Sequence, residues 1–163
     1  MVRNEIMVVV TAIIENQNED ILLIKRSPES EDLPNAWEDC GGRLKQAEIP
    51  EEGLRREIKE ELGLDDIEII KPLTIFHDFR NGRKNPLNEL IGIAYWCKTQ
   101  SIDIILSEEH TEYQWVKPGQ AIDIVSHPAV KQYIQIQMEE KQLAKEIDLL
   151  AYEKERLKFD QGR

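Results

Sequence analysis

No stretch of this chain constrains its fold more than Pro50–Leu62. Leu54, Ile58 and Leu62 recur every four residues and mark the apolar stripe of a helix that must lie against a core. Pro50 suits its first turn, Glu51 and Glu52 complement its positive end, and Gly63 suits a left-handed stop. On the other side, Glu57, Glu60 and Glu61 are spaced i, i+3 and i+4, so they share a face. Three crowded carboxylates repel one another unless a cation lies among them. A hard divalent ion with oxygen ligands, Mg2+ or Mn2+, meets that need. The helix thus reads as a plank, oily below and metal-binding above. Arg56 beside this face can hold a carboxylate in a bidentate pair, and Glu48 precedes the helix. Gly41 and Gly42, lacking a Cβ, can bring a bare backbone carbonyl to the same ion.

Around this helix the sequence reads as strands. Ile6–Glu15, rich in Val and Ile, and Ile21–Arg26 predict a hairpin across a polar turn at 16–20. Residues 27–35 read as a loop, and Gly41-Gly42 as a place where backbone turns or approaches something closely. Strand material follows at 67–79, then a polar loop at 80–86. Further strands are expected at 87–98, 102–106 and 113–116, and a long helix from Pro128 to about Phe159. Strands mixed with helices predict a mixed sheet with helices packed on it.

The 163 residues suit one domain with an appendage. The net charge of −11 argues against strong nucleic-acid binding. The acidic excess lies in the first 130 residues, while residues 131–163 balance their charges, as a long solvated helix would. Cys40 and Cys97 are too few for a disulfide scaffold and are expected to be inert small hydrophobes. The apolar run Ile6–Ile14 is too short to span a bilayer, and no small-residue cleavage site follows it. The expectation is a soluble, cytoplasmic protein without a membrane partner. His77, His110 and His127 lack ligand spacing and are expected in surface or packing roles.

Gly42, Glu48 and Arg56-Glu57-Ile58-Lys59-Glu60-Glu61-Leu62-Gly63-Leu64 match the Nudix box at every position. At roughly 0.1 per fixed position, chance agreement is about 10⁻⁷ per starting point, far rarer than a lone glycine pattern. The chain resembles the Nudix hydrolase family of MutT-like proteins. Weaker resemblance spans about residues 5–135, including the Trp37 turn and Glu108–Val116. Cys40 departs from it, since many members have Pro before the glycine pair; this changes loop stiffness and removes no ligand.

The resemblance implies an α/β/α sandwich with a mixed β-sheet. Residues 1–135 would form the Nudix hydrolase domain, and residues 136–163 a C-terminal helical extension. It implies Mg2+- or Mn2+-dependent hydrolysis of a nucleoside diphosphate linked to X. The compact size and plain box favour a nucleoside triphosphate, oxidised or not, cleaved to monophosphate and pyrophosphate. Alternatives are an ADP-ribose or other nucleotide-sugar pyrophosphatase, or a non-catalytic nucleotide-sensing regulator. Carried over by position, Glu57, Glu60 and Glu61 match the metal and base positions, the Gly41 carbonyl a metal ligand, and Glu48 and Arg56 the supporting positions. Glu112 resembles an additional metal-binding or basic carboxylate, so the base is either Glu57 or Glu112. Lys25, Arg26, Arg80 and Trp37 are candidate substrate contacts. Each also has a plain structural reading, as charged strand ends, a polar loop with Arg83 and Lys84, and a packed indole. In the tail, Tyr133, Ile136, Leu143, Ile147, Leu150 and Leu157 fit a heptad seam broken by Glu140 and Lys154. That seam suits either a homodimer or a helix lying on its own domain.

Overall fold

The computed structural model describes residues 6–82 and 84–161. In chain order these form β1 (Met7–Glu15), β2 (Ile21–Arg26), β3 (Trp37–Glu38), β4 (Cys40–Arg43), α1 (Pro50–Leu62), β5 (Glu68–Phe79), β6 (Glu89–Lys98), β7 (His110–Val116), α2 (Pro118–Ile124) and α3 (Pro128–Gln161). The sheet runs β3-β2-β1-β6-β5, with β4 also paired to β1 and β7 to β2. Among the described residues only β1 and β6 pair in parallel. β1 is central, which explains its unbroken apolar run: both its faces are covered.

Alternation along the strands sends side chains into two cores. Val10, Ala12, Ile14, Leu22, Ile24, Tyr95 and Cys97 meet Leu54, Ile58 and Leu62 of α1. Ile13, Ile21, Leu23 and Ala94 meet Ala121 and Val125 at α2 and Val130, Tyr133 and Ile134 of α3. The result is the expected α/β/α sandwich. Leu54, Ile58 and Leu62 are each 0% exposed. Burial of each side chain contributes about 1.5–3 kcal/mol, which fixes the opposite, carboxylate face of α1 in place. The helix has the expected bounds and ends on Gly63, whose φ of 69° closes a bond from its N–H to the Lys59 carbonyl.

Three elements differ from expectation, and the long C-terminal helix is as expected. The hairpin of β1 and β2 pairs only at Glu15–Ile21. The strands then part, leaving β1 to pair with β4 and β2 with β7. Residues 102–106 form no strand. Instead the Ile105 and Ser107 amides donate to the Leu62 and Glu61 carbonyls, both at 3.0 Å, satisfying acceptors that the end of α1 leaves open. α2 was not expected; Pro118 begins it rather than merely ending the preceding strand. α3 is continuous to Gln161, but its surroundings change along its length. Tyr133 and Gln137 are buried, and Lys141 reaches Glu15 at 2.9 Å and Glu19 at 3.2 Å. Glu140, which interrupts the heptad, bonds Lys71 at 2.8 Å. From Gln142 through Lys154 every side chain is exposed. Among the described residues no helix is long and apolar enough to cross a membrane.

Candidate active site

The glycine pair is a close approach within a strand. Gly41 and Gly42 lie opposite Thr11 and Val10 in the β1–β4 ladder. A Cβ at Gly41 would strike the Val10 carbonyl oxygen and the Thr11 backbone, and one at Gly42 would strike the Glu57 carboxyl. Only glycines let β4 lie flat between β1 and the carboxylate face of α1.

Arg56 organises the outer part of this face. Its guanidinium forks onto Glu48, with Nε to Oε1 at 2.7 Å and Nη2 to Oε2 at 2.8 Å. Its Nη1 donates to Glu57 Oε1 at 2.6 Å and Glu60 Oε2 at 3.2 Å. The Lys45 amide adds a bond to Glu48 at 2.8 Å. The bonds from Arg56, then that amide, hold the Glu48 carboxyl down at about 2. The bidentate role anticipated for Arg56 is therefore filled by Glu48.

Glu61 has different surroundings. Its Oε2 accepts from the Cys40 thiol at 3.0 Å and the Gly41 amide at 3.2 Å. Burial pushes its carboxyl up to about 7 against those bonds. Alongside it, burial pushes Asp39 up to about 8. Asp39 shares the Thr11 hydroxyl with the Cys40 carbonyl oxygen, which lies 3.0 Å from that hydroxyl. A carbonyl oxygen can only accept. If the single hydroxyl proton goes to Cys40, the Asp39 carboxyl must donate to Thr11, as a protonated acid can.

Thr11, Asp39 and the carboxylates of Glu57, Glu60 and Glu61 border one cavity of about 960 Å³, while Glu48 and Arg56 stand behind them and do not line it. Gly41, Gly42, Glu57, Glu60 and Glu61 line one side; Trp37, Phe76, Phe79, Tyr133 and His127 line the other. Arg26 and Arg80 both line it. Arg26 is held by Glu38 at 2.9 Å and by Ser30, and Arg80 lies 3.9 Å from Asp32. Trp37 is half-buried and packed on the α2–α3 core, so its cavity-lining and structural roles coexist.

Lys25 and Glu112 are not among the residues that line this cavity, but Lys25 lies over the ring of Trp37, which does, with its Nζ 5.7 Å from the ring centroid. Lys25 and Glu112 stand opposite each other in the β2–β7 ladder and are paired at 2.6 Å. Strand alternation places them on the side of Leu23, which is also the side of Trp37 and Tyr133, and away from the α1 face served by Ile24. Arg83 lies outside the described residues, and Lys84 is exposed. The sequence reading missed Glu38, Asp39, Glu109 and Tyr133 as lining residues. Glu38 and Asp39 were legible as the acids beside the glycine pair. Tyr133 fits the heptad seam by spacing, but it packs on Phe76 with ring centroids 5.5 Å apart. His110 is buried and contacts Glu38 at 3.1 Å, a packing role of the expected kind.

The donor chemistry suits a hard cation. The α1 carboxylates are oxygen donors on one rigid face, and Glu61 is largely buried with no basic side chain bonded to it among the described residues. Among those residues no three ligands are already gathered; Arg56 holds Glu57 and Glu60. Glu57, Glu60, Glu61 and the Gly41 backbone are the groups that would hold the ion.

Comparison with known proteins gives the same reading. The model of the NUDIX domain matches residues 5–136. Nucleoside triphosphatase NudI of Escherichia coli O81 (strain ED1a) is 34% identical over 116 residues, covering 68% of this chain and 81% of the relative. Among solved structures, the MutT protein from Methanosarcina mazei Go1 superposes with a TM-score of 0.71 at 24% identity, covering 86% of this chain and 99% of that one. The NUDIX domain of Shewanella oneidensis NrtR, complexed with ADP ribose, gives a TM-score of 0.68 at 15% identity, covering 83% and 88%. Those two likenesses concern the fold.

Proposed function

Since this chain belongs to the Nudix hydrolase family and is a pyrophosphohydrolase, we propose that it cleaves a nucleoside triphosphate to the monophosphate and pyrophosphate. The observation that carries the reading is the α1 carboxylate face. It borders a cavity whose far side is aromatic, in a chain 34% identical to a nucleoside triphosphatase. Base and sugar fit against Trp37, Phe76 and Tyr133, and the phosphates reach toward Glu57, Glu60 and Glu61. Mg2+ or Mn2+, when bound there, supplies the positive charge that a polyphosphate among carboxylates requires. Arg26 and Arg80 add phosphate-binding charge at the wall. Glu57 is the proposed base, taking a proton from the attacking water. It lines the cavity, whereas Glu112 is paired with Lys25 and does not line it.

Residues 1–135 form the proposed catalytic domain and 136–163 its helical extension, with Leu143, Ile147 and Leu150 available to a second copy. Two buried free thiols fit a reducing, cytoplasmic setting.

The decisive experiment compares kcat/KM across canonical and oxidised nucleoside triphosphates, ADP-ribose and dinucleoside polyphosphates. The expected best substrate is a triphosphate giving pyrophosphate, with activity abolished by chelator and restored by Mg2+ or Mn2+. A clear preference for ADP-ribose would overturn the substrate and leave the family intact. A chain ending at Lys145 keeps the Lys141 pairs with Glu15 and Glu19. It is expected to hold kcat/KM within about twofold, since every cavity-lining residue precedes the cut. It is also expected to be monomeric by light scattering; an unchanged dimer would exclude the tail as the interface.

A further inference from the structure

Cys40 stands opposite Ala12 in the β1–β4 ladder and is 3% exposed, packed in the α1-facing core. Its sulfur lies 3.0 Å from Glu61 Oε2, the same oxygen that accepts the Gly41 amide at 3.2 Å. Two donors converge on one oxygen, and Oε1 makes no hydrogen bond among the described residues. A thiol buried among apolar side chains stays protonated and can donate, if weakly. The backbone beneath is fixed as well, because the Glu61 carbonyl accepts the Ser107 amide at 3.0 Å. An alanine, valine or proline at position 40 would present only carbon to Oε2, and the carboxylate would rest on a single amide.

We propose that Cys40 is a positioning residue: its thiol, with the Gly41 amide, fixes one Glu61 oxygen and leaves the other directed at the cation. The inference rests on the proposed function, since it takes Glu61 as a cation ligand. It gives a buried cysteine a role through hydrogen bonding rather than through nucleophilicity or redox chemistry. Groups that orient a ligand commonly alter metal affinity by about 10- to 100-fold when removed, without touching the ion.

The test uses the full chain and Mn2+ alone, titrated calorimetrically into nucleotide-free protein. Cys40→Ala is expected to weaken Mn2+ binding about tenfold. Cys40→Ser, which restores a donor of similar size, is expected to return to within about threefold of the parent. In turnover, the Mn2+ concentration for half-maximal rate should move with the binding constant, while kcat at saturating Mn2+ moves less. Melting temperatures in chelator serve as the control and should not rank the variants this way. Cys40→Val, which keeps apolar bulk without a donor, supplies the same comparison should alanine leave an unfoldable cavity. Parent-like Mn2+ binding by the alanine or valine variant would overturn the inference, as would equal losses in serine and alanine. Failure of the parent to bind Mn2+ overturns the metal site itself. A parent that binds Mn2+ but hydrolyses no nucleotide sinks the substrate reading and leaves the Cys40 comparison decisive.

Discussion

Glu48 and Glu61 come from one short motif and carry the same charge, yet the fold treats them in opposite ways. Glu48 sits at the rim, gripped by both prongs of Arg56 and by the Lys45 amide, and its carboxyl is held down at about 2. Glu61 lies deeper, against a thiol and an amide, and burial pushes it up to about 7. The rim acid already has its cation; the floor acid has none built in. The first is therefore a structural clamp that orients Arg56, and the second is the carboxylate with most to gain from a bound ion.

The sharpest break in this comparison is charge removal at constant shape. Glu61→Gln is expected to lower kcat about 10³-fold, about 4 kcal/mol, while the protein stays folded. Glu48→Gln should cost less, about 10- to 100-fold, because it acts through Arg56. Equal losses, measured as kcat and kcat/KM under saturating Mg2+, would erase the distinction between rim and floor. Arg56→Lys tests the clamp from its other side. Lysine keeps the charge but loses the planar fork, so about a tenfold loss is expected, with little change in chelator-phase melting.

Stability against pH gives the most specific contrast. Glu48 is depressed when folded, so its contribution is present above the ordinary carboxylate value of 4.5 and is lost as pH falls toward about 2. Asp39, beside Glu61, is raised from 3.8 to about 8. Its contribution is therefore full below about 4 and is lost as pH rises through 8. Metal-free protein should melt at progressively lower temperature between pH 5 and 8. Asp39→Asn, which keeps the shape of the protonated acid, should flatten that slope. Glu48→Gln should change only the acid limb. Calorimetric scans at several pH values check both, and an unaltered slope in Asp39→Asn would sink the assignment.

Much of this architecture is legible because its causes are local. Helix α1 follows from three apolar residues at a spacing of four, a proline at its start and a glycine at its end. The shared face of Glu57, Glu60 and Glu61 follows from helical geometry alone, and so does Arg56's reach toward Glu60, one turn away. What failed was non-local. The segment 102–106 has strand-like composition, but tertiary contact uses its Ile105 amide, with that of Ser107 beyond it, to close the end of α1.

α1, its two faces, Arg56's capacity for a bidentate pair and the family are all legible in spacings within 23 residues of one another, because helical geometry is local. Which distant side chains stand beside that helix, the Glu48 partner of Arg56 included, depends on how the strands and loops pack around it. Glu112 reads as well as any acid near the end of the domain, and the β2–β7 register sets it against Lys25. Cys40 reads as a departure from the box, yet the β1–β4 register turns its sulfur onto Glu61. The reason is physical: a strand alternates faces at every residue, so a shift of one position in register exchanges site for surface. Register is set by what the whole sheet buries, not by the residues that happen to carry the chemistry.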